Sequence, residues 1–130
     1  MEEAKSKVLL VEDDSSFGNV LKNYLELNDF DVTLERDGRL GLAAFQREKY
    51  DICLLDVMMP HVDGLELCRK LKQNPKTSHI PVVLLTARSA AAHQIEGLEN
   101  GADEYLSKPF HPQLLQTKVQ NLLHNRLLIR

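Results

Sequence analysis

Cysteine is scarce in this chain: Cys53 and Cys68 are the only two, they form no CxxC pair, and neither stands beside a histidine at metal-ligand spacing. A disulfide scaffold and a cysteine-rich metal site are thereby excluded, and both thiols are read as reduced packing residues. Long apolar runs are also missing. No stretch approaches the ~18 residues needed to cross a membrane, and Met1 to Lys7 is charged rather than signal-like. The expectation is a cytoplasmic location with no membrane contact by this domain. Charge of one sign does not accumulate either: 16 basic residues face 19 acidic ones, for a net charge of -3, with no run of five like charges. That argues against a basic arm and against direct nucleic-acid binding. Internal repeats, low-complexity tracts and Ser/Gly-rich linkers are absent, as are a Walker A sequence and GxGxxG.

What is present is enough for one domain. With 130 residues, 43% of them hydrophobic, the chain can bury roughly two thirds of its unfolded surface without a staple. Short apolar runs at Val8 to Val11, Val32 to Leu34, Ile52 to Leu55, Val82 to Leu85 and Glu104 to Leu106 alternate with stretches of helical period. That is the pattern of repeated βα units around a parallel sheet. The third and fourth runs are apolar throughout, as central strands require, and the second reads as an edge. Ser15 or Ser16 can cap a first helix bearing Phe17, Val20, Leu21, Tyr24 and Leu25 on one face. Gly38 and Gly64 open the next two helices, and Asn74-Pro75 closes the third. A fourth helix is expected over 90–100, ending at Gly101, and a fifth from about Pro112. The packed part spans about residues 6–125. Leu127, Leu128 and Ile129 carry apolar character beyond it, so 126–130 read as the start of a connector.

In an open parallel sheet, ligands bind beyond the carboxyl ends of the strands. Those ends carry Glu12, Asp13 and Asp14 after the first strand, Asp56 after the third, Thr86 after the fourth and Lys108 after the fifth. Carboxylates gathered in a half-dry crevice repel one another and call for a cation. Their oxygens suit a hard divalent ion, above all Mg²⁺, which needs few carboxylates and tolerates phosphate oxygens. Asp56 is then the natural nucleophile toward phosphorus, with Mg²⁺, Lys108 and the Thr86 hydroxyl neutralising the transferring group. Blander roles compete: Asp14, Ser15 or Ser16 as an N-cap, Asp56 as a turn former, Thr86 as a cap, Lys108 as a surface charge and Tyr105 as a half-buried strand aromatic. His79, His93, His111 and His124 share no ligand spacing and read as surface or capping residues, and His61 as a solvated loop residue. Gly64 fits either a turn close to the site or a plain helix start.

Four segments, VLLVEDD at 8–14, DICLLDVMMPHVDGLEL at 51–67, IPVVLLTA at 80–87 and GADEYLSKPF at 101–110, make the chain resemble the receiver domain of two-component response regulators. The resemblance implies an α/β, flavodoxin-like (βα)5 three-layer sandwich with a parallel five-stranded sheet of order 2-1-3-4-5. It implies Asp56 as phospho-acceptor, Asp13 as direct Mg²⁺ ligand, Glu12 as the second acid acting through water, and the Met58 backbone carbonyl as third ligand. Thr86 and Tyr105 match the switch pair, Lys108 the family's lysine, and the Lys108-Pro109 bond is expected to be cis. Met58 and Arg88 fall where family members differ and where side chains tune water access to the acyl phosphate. The implied partner is a histidine kinase, in cis or in trans. The face made by the fourth helix, fifth strand and fifth helix would change its contacts, with a homodimer through it. The stretch from Lys76 to Phe110 looks most like receivers of hybrid sensor kinases, especially those with an AraC-type DNA-binding output domain. The isolated chain is expected to phosphorylate and dephosphorylate itself without being an enzyme in the usual sense, although its full-length parent would be a histidine kinase.

A haloacid-dehalogenase-type phosphatase uses similar parts but places its nucleophile on the first strand, with a second Asp two residues on; here Met58 stands two after Asp56. A docking module that ignores phosphorylation would not need the complete acid, hydroxyl and lysine set. Flavin binding is disfavoured because acids, not a phosphate-cradling loop, follow the first strand.

Overall fold

A strand that is apolar at every position must be covered on both faces, and β3 (Ile52–Asp56) and β4 (Val82–Thr86) are buried at every residue. The computed structural model describes residues 4–59, 64–86 and 101–128, with side chains as far as 125. Within it β1 (Ser6–Val11), β2 (Phe30–Glu35), β3, β4 and β5 (Glu104–Ser107) form one parallel sheet of order β2-β1-β3-β4-β5. The expected order holds, with β2 at the edge.

Strand alternation sorts the apolar residues into two cores. Leu9, Val11, Cys53, Leu55, Val82 and Leu84 face α2 (Gly38–Arg47) and α3 (Gly64–Gln73), which contribute Ala44, Leu67, Cys68 and Leu71. Val8, Leu10, Ile52, Leu54, Val83 and Leu85 face α1 (Ser15–Leu27) and the C-terminal helix (Pro112–Leu128), which contribute Leu21, Leu25, Leu115 and Val119. Helices on both sides of the sheet make the three-layer sandwich. Both cysteines are buried in the first core and neither is in a disulfide, and burial pushes both thiols up, consistent with packing and not reactivity. Among the described residues no helix is long and apolar enough to cross a membrane. The helix expected over 90–100, with Arg88, His61 and His93, lies outside the described residues.

The helix starts place the strand-end loops. Asp14, not Ser15 or Ser16, caps α1: its backbone is extended and its side chain accepts from the Phe17 N–H at 3.1 Å. Ser15 is already helical, so its hydroxyl is one residue too late for that role. Asp37 does the same for α2, accepting from Leu40 N at 2.9 Å. Pro112 begins the C-terminal helix, where a missing N–H costs nothing, and His111 Nδ1 accepts from Gln113 N at 3.2 Å. Gly101 takes φ +93°, the left-handed conformation expected of it.

Gly64 is needed for close approach. A Cβ there would come within 2.8 Å of the Asp56 carbonyl carbon and 2.9 Å of Val57 Cα, while Gly64 N donates to Val57 O at 2.9 Å. Backbone cannot swing aside as a side chain can, so Gly64→Ala should destabilise the fold by about 1–3 kcal/mol. Urea denaturation reads this as a lower midpoint; an unchanged midpoint would show that the α3 start yields freely.

Candidate functional site

Every strand of a parallel sheet ends on the same edge, and here that edge collects the ionic side chains. Glu12 and Asp13 follow β1, Asp56 ends β3, Thr86 ends β4 and Lys108 follows β5. Glu12, Asp56 and Lys108 each stand two residues beyond an apolar residue of the second core, namely Leu10, Leu54 and Leu106. The period-two rule therefore aims all three toward the α1 side of the sheet edge. Thr86, two beyond Leu84, and Tyr105 belong to the α3 side, at the level of β4 and β5. Thr86 meets the lysine through its backbone: Lys108 N donates to Thr86 O at 2.6 Å, and the Lys108-Pro109 bond is cis, as the resemblance implied.

Carboxylate oxygens of Glu12, Asp13 and Asp56 all lie within 4.8 Å of one another. Glu12 is fully buried and Asp56 is 5% exposed, whereas Asp13 faces solvent. Lys108 Nζ lies 2.6 Å from Glu12 Oε1 and 3.6 Å from Asp56 Oδ2. Backbone donors complete the set: Met58 N donates to Asp56 Oδ1 at 3.1 Å and Asp14 N to Glu12 Oε2 at 3.1 Å. The Met58 side chain stays exposed at the rim.

Among the described residues one ammonium, that of Lys108, faces these three acids. Burial, then the hydrogen bond and charge of Glu12, raise the Asp56 carboxyl from 3.8 to about 8, against the opposing pull of Lys108 and the Met58 N–H. An all-oxygen donor set that is short of positive charge could hold a metal ion, and the chemistry of the donors fits a hard divalent cation. Without metal, folded Asp56 keeps a proton that the unfolded chain gives up near pH 4. Its contribution to stability is therefore full below about pH 4 and lost as pH rises toward 8. With chelator present, the urea midpoint should fall over this window more steeply for the wild type than for Asp56→Asn. Parallel profiles would show that Asp56 does not titrate this way.

The edge thus brings together Glu12, Asp13, Asp56 and Lys108, with Thr86 and Met58 beside them; Tyr105 lies two residues back along β5. Sequence reading missed the aromatic side of the site. Lys108 Nζ lies 4.5 Å from the centroid of the Phe17 ring, and Phe110 packs edge-on against that ring at 5.5 Å and 74°. The available signals were the place of Phe17 in the first turn of α1 and of Phe110 two residues after Lys108.

The family model described as the response regulator receiver domain matches residues 8–120. Histidine kinase P4 of Formosa agariphila is 42% identical over 129 residues, 99% of this chain and 9% of that protein. Response regulator ArlR of Staphylococcus saprophyticus is 36% identical over 121 residues, 93% of this chain and 54% of that protein. The chain therefore spans about half of one curated relative and a small part of the other. Among solved structures, the receiver domain of sensor histidine kinase PA1611 from Pseudomonas aeruginosa, described with a magnesium ion coordinated in its active site cleft, superimposes with a TM-score of 0.86. It is 30% identical, and the match covers 93% of this chain and 99% of that one.

Proposed function

This chain belongs to the response regulator receiver domain family of two-component systems, and from that premise we propose that Asp56 accepts a phosphoryl group from a phosphohistidine kinase, with Mg²⁺ bound beside it. The observation that carries the reading is the convergence of Glu12, Asp13 and Asp56 with Lys108 at one sheet edge. Asp13, Asp56, the Met58 carbonyl and, through water, Glu12 would hold the ion, whose chemistry is to neutralise charge on phosphoryl oxygens. The magnesium described for the Pseudomonas receiver supports the choice of metal.

In the transfer, an Asp56 carboxylate oxygen forms a bond to phosphorus as the bond from phosphorus to the donor imidazole nitrogen breaks. The electron pair leaves with the imidazole, and with a divalent cation held beside it Asp56 would have given up its proton, so no separate base is needed. Lys108 donates to one phosphoryl oxygen and the Thr86 hydroxyl to another. A Thr86 rotamer that donates to the new group is selected by its charge and acceptors, and Tyr105, on the same face of the sheet, follows into the vacated space. The Met58 and Arg88 side chains tune water access to the acyl phosphate. The readout is a changed face beside β5 and the C-terminal helix, open to partners or to a second copy of the chain.

The kinase acts in cis or in trans. The match of 99% of this chain to 9% of a histidine kinase supports the hybrid arrangement. In that arrangement the domain is cytoplasmic, and an AraC-type output is the expected effector. Turnover of phosphate esters is not part of this function, since the acid that would act as nucleophile ends β3, and Met58 stands where a dehalogenase-type acid would be.

Incubation with a small acyl-phosphate donor and Mg²⁺, followed by intact-mass measurement, tests the proposal. The expected result is one added phosphoryl group, dependent on Mg²⁺. No addition under saturating donor and metal would favour a docking module that ignores phosphorylation.

A further inference from the structure

Lys108 has a long, flexible stem, and its side chain is 20% exposed between two acids at unequal distances, 2.6 Å to Glu12 and 3.6 Å to Asp56. Something must keep the ammonium from turning to water or settling wholly on Glu12. The third side of the ammonium is the face of Phe17, with 4.5 Å from Nζ to the ring centroid. An aromatic face attracts a cation without offering an oxygen that could bind metal or phosphorus, so it holds the lysine without competing for its partners.

The ring is itself fixed from two directions. The Phe17 N–H is the one that Asp14 caps, at 3.1 Å, so the first turn of α1 sets where the side chain departs. Phe110, two residues beyond Lys108, meets the ring edge-on at 5.5 Å, and both rings pack against the second core. The segments 12–17 and 108–110, far apart in sequence, are thus joined by an ion pair, a cation–π contact and a ring–ring contact.

Resting on the phosphoryl-acceptor reading above, we propose that Phe17 is a positioning residue for phosphoryl transfer: its ring, steadied by Phe110, holds the Lys108 ammonium between Glu12 and Asp56. It touches neither phosphorus nor metal and acts through the lysine.

Phe17→Leu keeps an apolar side chain and removes the π face, whereas Phe17→Tyr keeps the ring. With Mg²⁺ and a small acyl-phosphate donor saturating, Phe17→Leu should slow phosphoryl uptake about fivefold, equivalent to a cation–π contact of ~1 kcal/mol. Phe17→Tyr should restore the wild-type rate, and Phe17→Leu should cause no further slowing in a Lys108→Ala background. Proton NMR gives a readout independent of transfer: the Lys108 methylene next to Nζ should be shifted upfield by the ring in the wild type and in Phe17→Tyr, and not in Phe17→Leu. Phe110→Leu, which leaves Phe17 in place, should change both readouts in the same direction but less, and decides the matter if Phe17→Leu does not fold. Equal slowing with and without Lys108, failure of Phe17→Tyr to rescue, or absence of the upfield shift in the wild type would each overturn the proposal. If the wild-type chain takes up no phosphoryl group, the acceptor reading fails, and the NMR comparison alone decides whether the ring holds the lysine.

Discussion

Asp56→Asn is expected to abolish phosphoryl uptake while leaving the sheet intact. Asparagine matches aspartate in shape and keeps an oxygen where Asp56 Oδ1 accepts from Met58 N at 3.1 Å, so the end of β3 should not move. What disappears is the ionised oxygen, and an amide at this position cannot form the acyl phosphate. The same change also removes a buried acid that the wild type tolerates at a cost, because burial and Glu12 raise the Asp56 carboxyl to about 8. The variant should therefore melt no lower than the wild type at neutral pH without metal, so loss of uptake cannot be blamed on unfolding. Intact-mass measurement and a thermal melt on one sample check both parts. Uptake at the wild-type rate by the variant would place the nucleophile elsewhere.

Lys108→Ala should slow uptake on the order of 10²-fold at saturating Mg²⁺, the usual effect of removing one preorganised donor from a developing charge. Its effect on stability should be opposite to that of Asp56→Asn. Glu12, fully buried, loses its partner at 2.6 Å and, among the described residues, is left with the Asp14 N–H and its acidic neighbours. Removing one member of a buried pair leaves the other uncompensated. The metal-free variant should therefore unfold at a lower urea midpoint than the wild type, and added Mg²⁺ should recover most of the difference. If Lys108→Ala were as stable as the wild type and took up phosphoryl groups as fast, the ion pair with Glu12 would be an idle surface contact.

The strands were legible because their apolar runs carry the packing signal, but their ends were not. β2 extends from Phe30 to Glu35 where the apolar pattern marks only Val32 to Leu34: exposed Asp31 separates buried Phe30 from the run, and at the other end the ladder continues to Glu35, past the last buried residue. The cap of α1 was displaced by one residue for a similar reason: Asp14, Ser15 and Ser16 are all capable acceptors, and the extended backbone at Asp14 chooses among them. The acids and Lys108 were legible as a group because a parallel sheet puts every strand's carboxyl end on one edge. Which partner the lysine prefers was not, since Glu12 and Lys108 are brought together only by the order of the strands between them. Phe17 was read only as part of an apolar helix face; that the same ring also meets a cation depends on a residue 91 positions away. Gly64 was compatible with two roles in sequence, and the backbone of Asp56 and Val57 against it selects close approach.

Reduction of the donor-treated chain with borohydride, followed by fragment mass spectrometry, locates an acyl phosphate directly, because the phosphorylated aspartate is converted to homoserine while free carboxylates are not. The expected product carries that conversion at position 56 alone, and only when Mg²⁺ was present during the incubation. Conversion at position 13 instead, or a phosphoryl group found on a histidine with position 56 unchanged, would contradict the assignment of Asp56 as the acceptor.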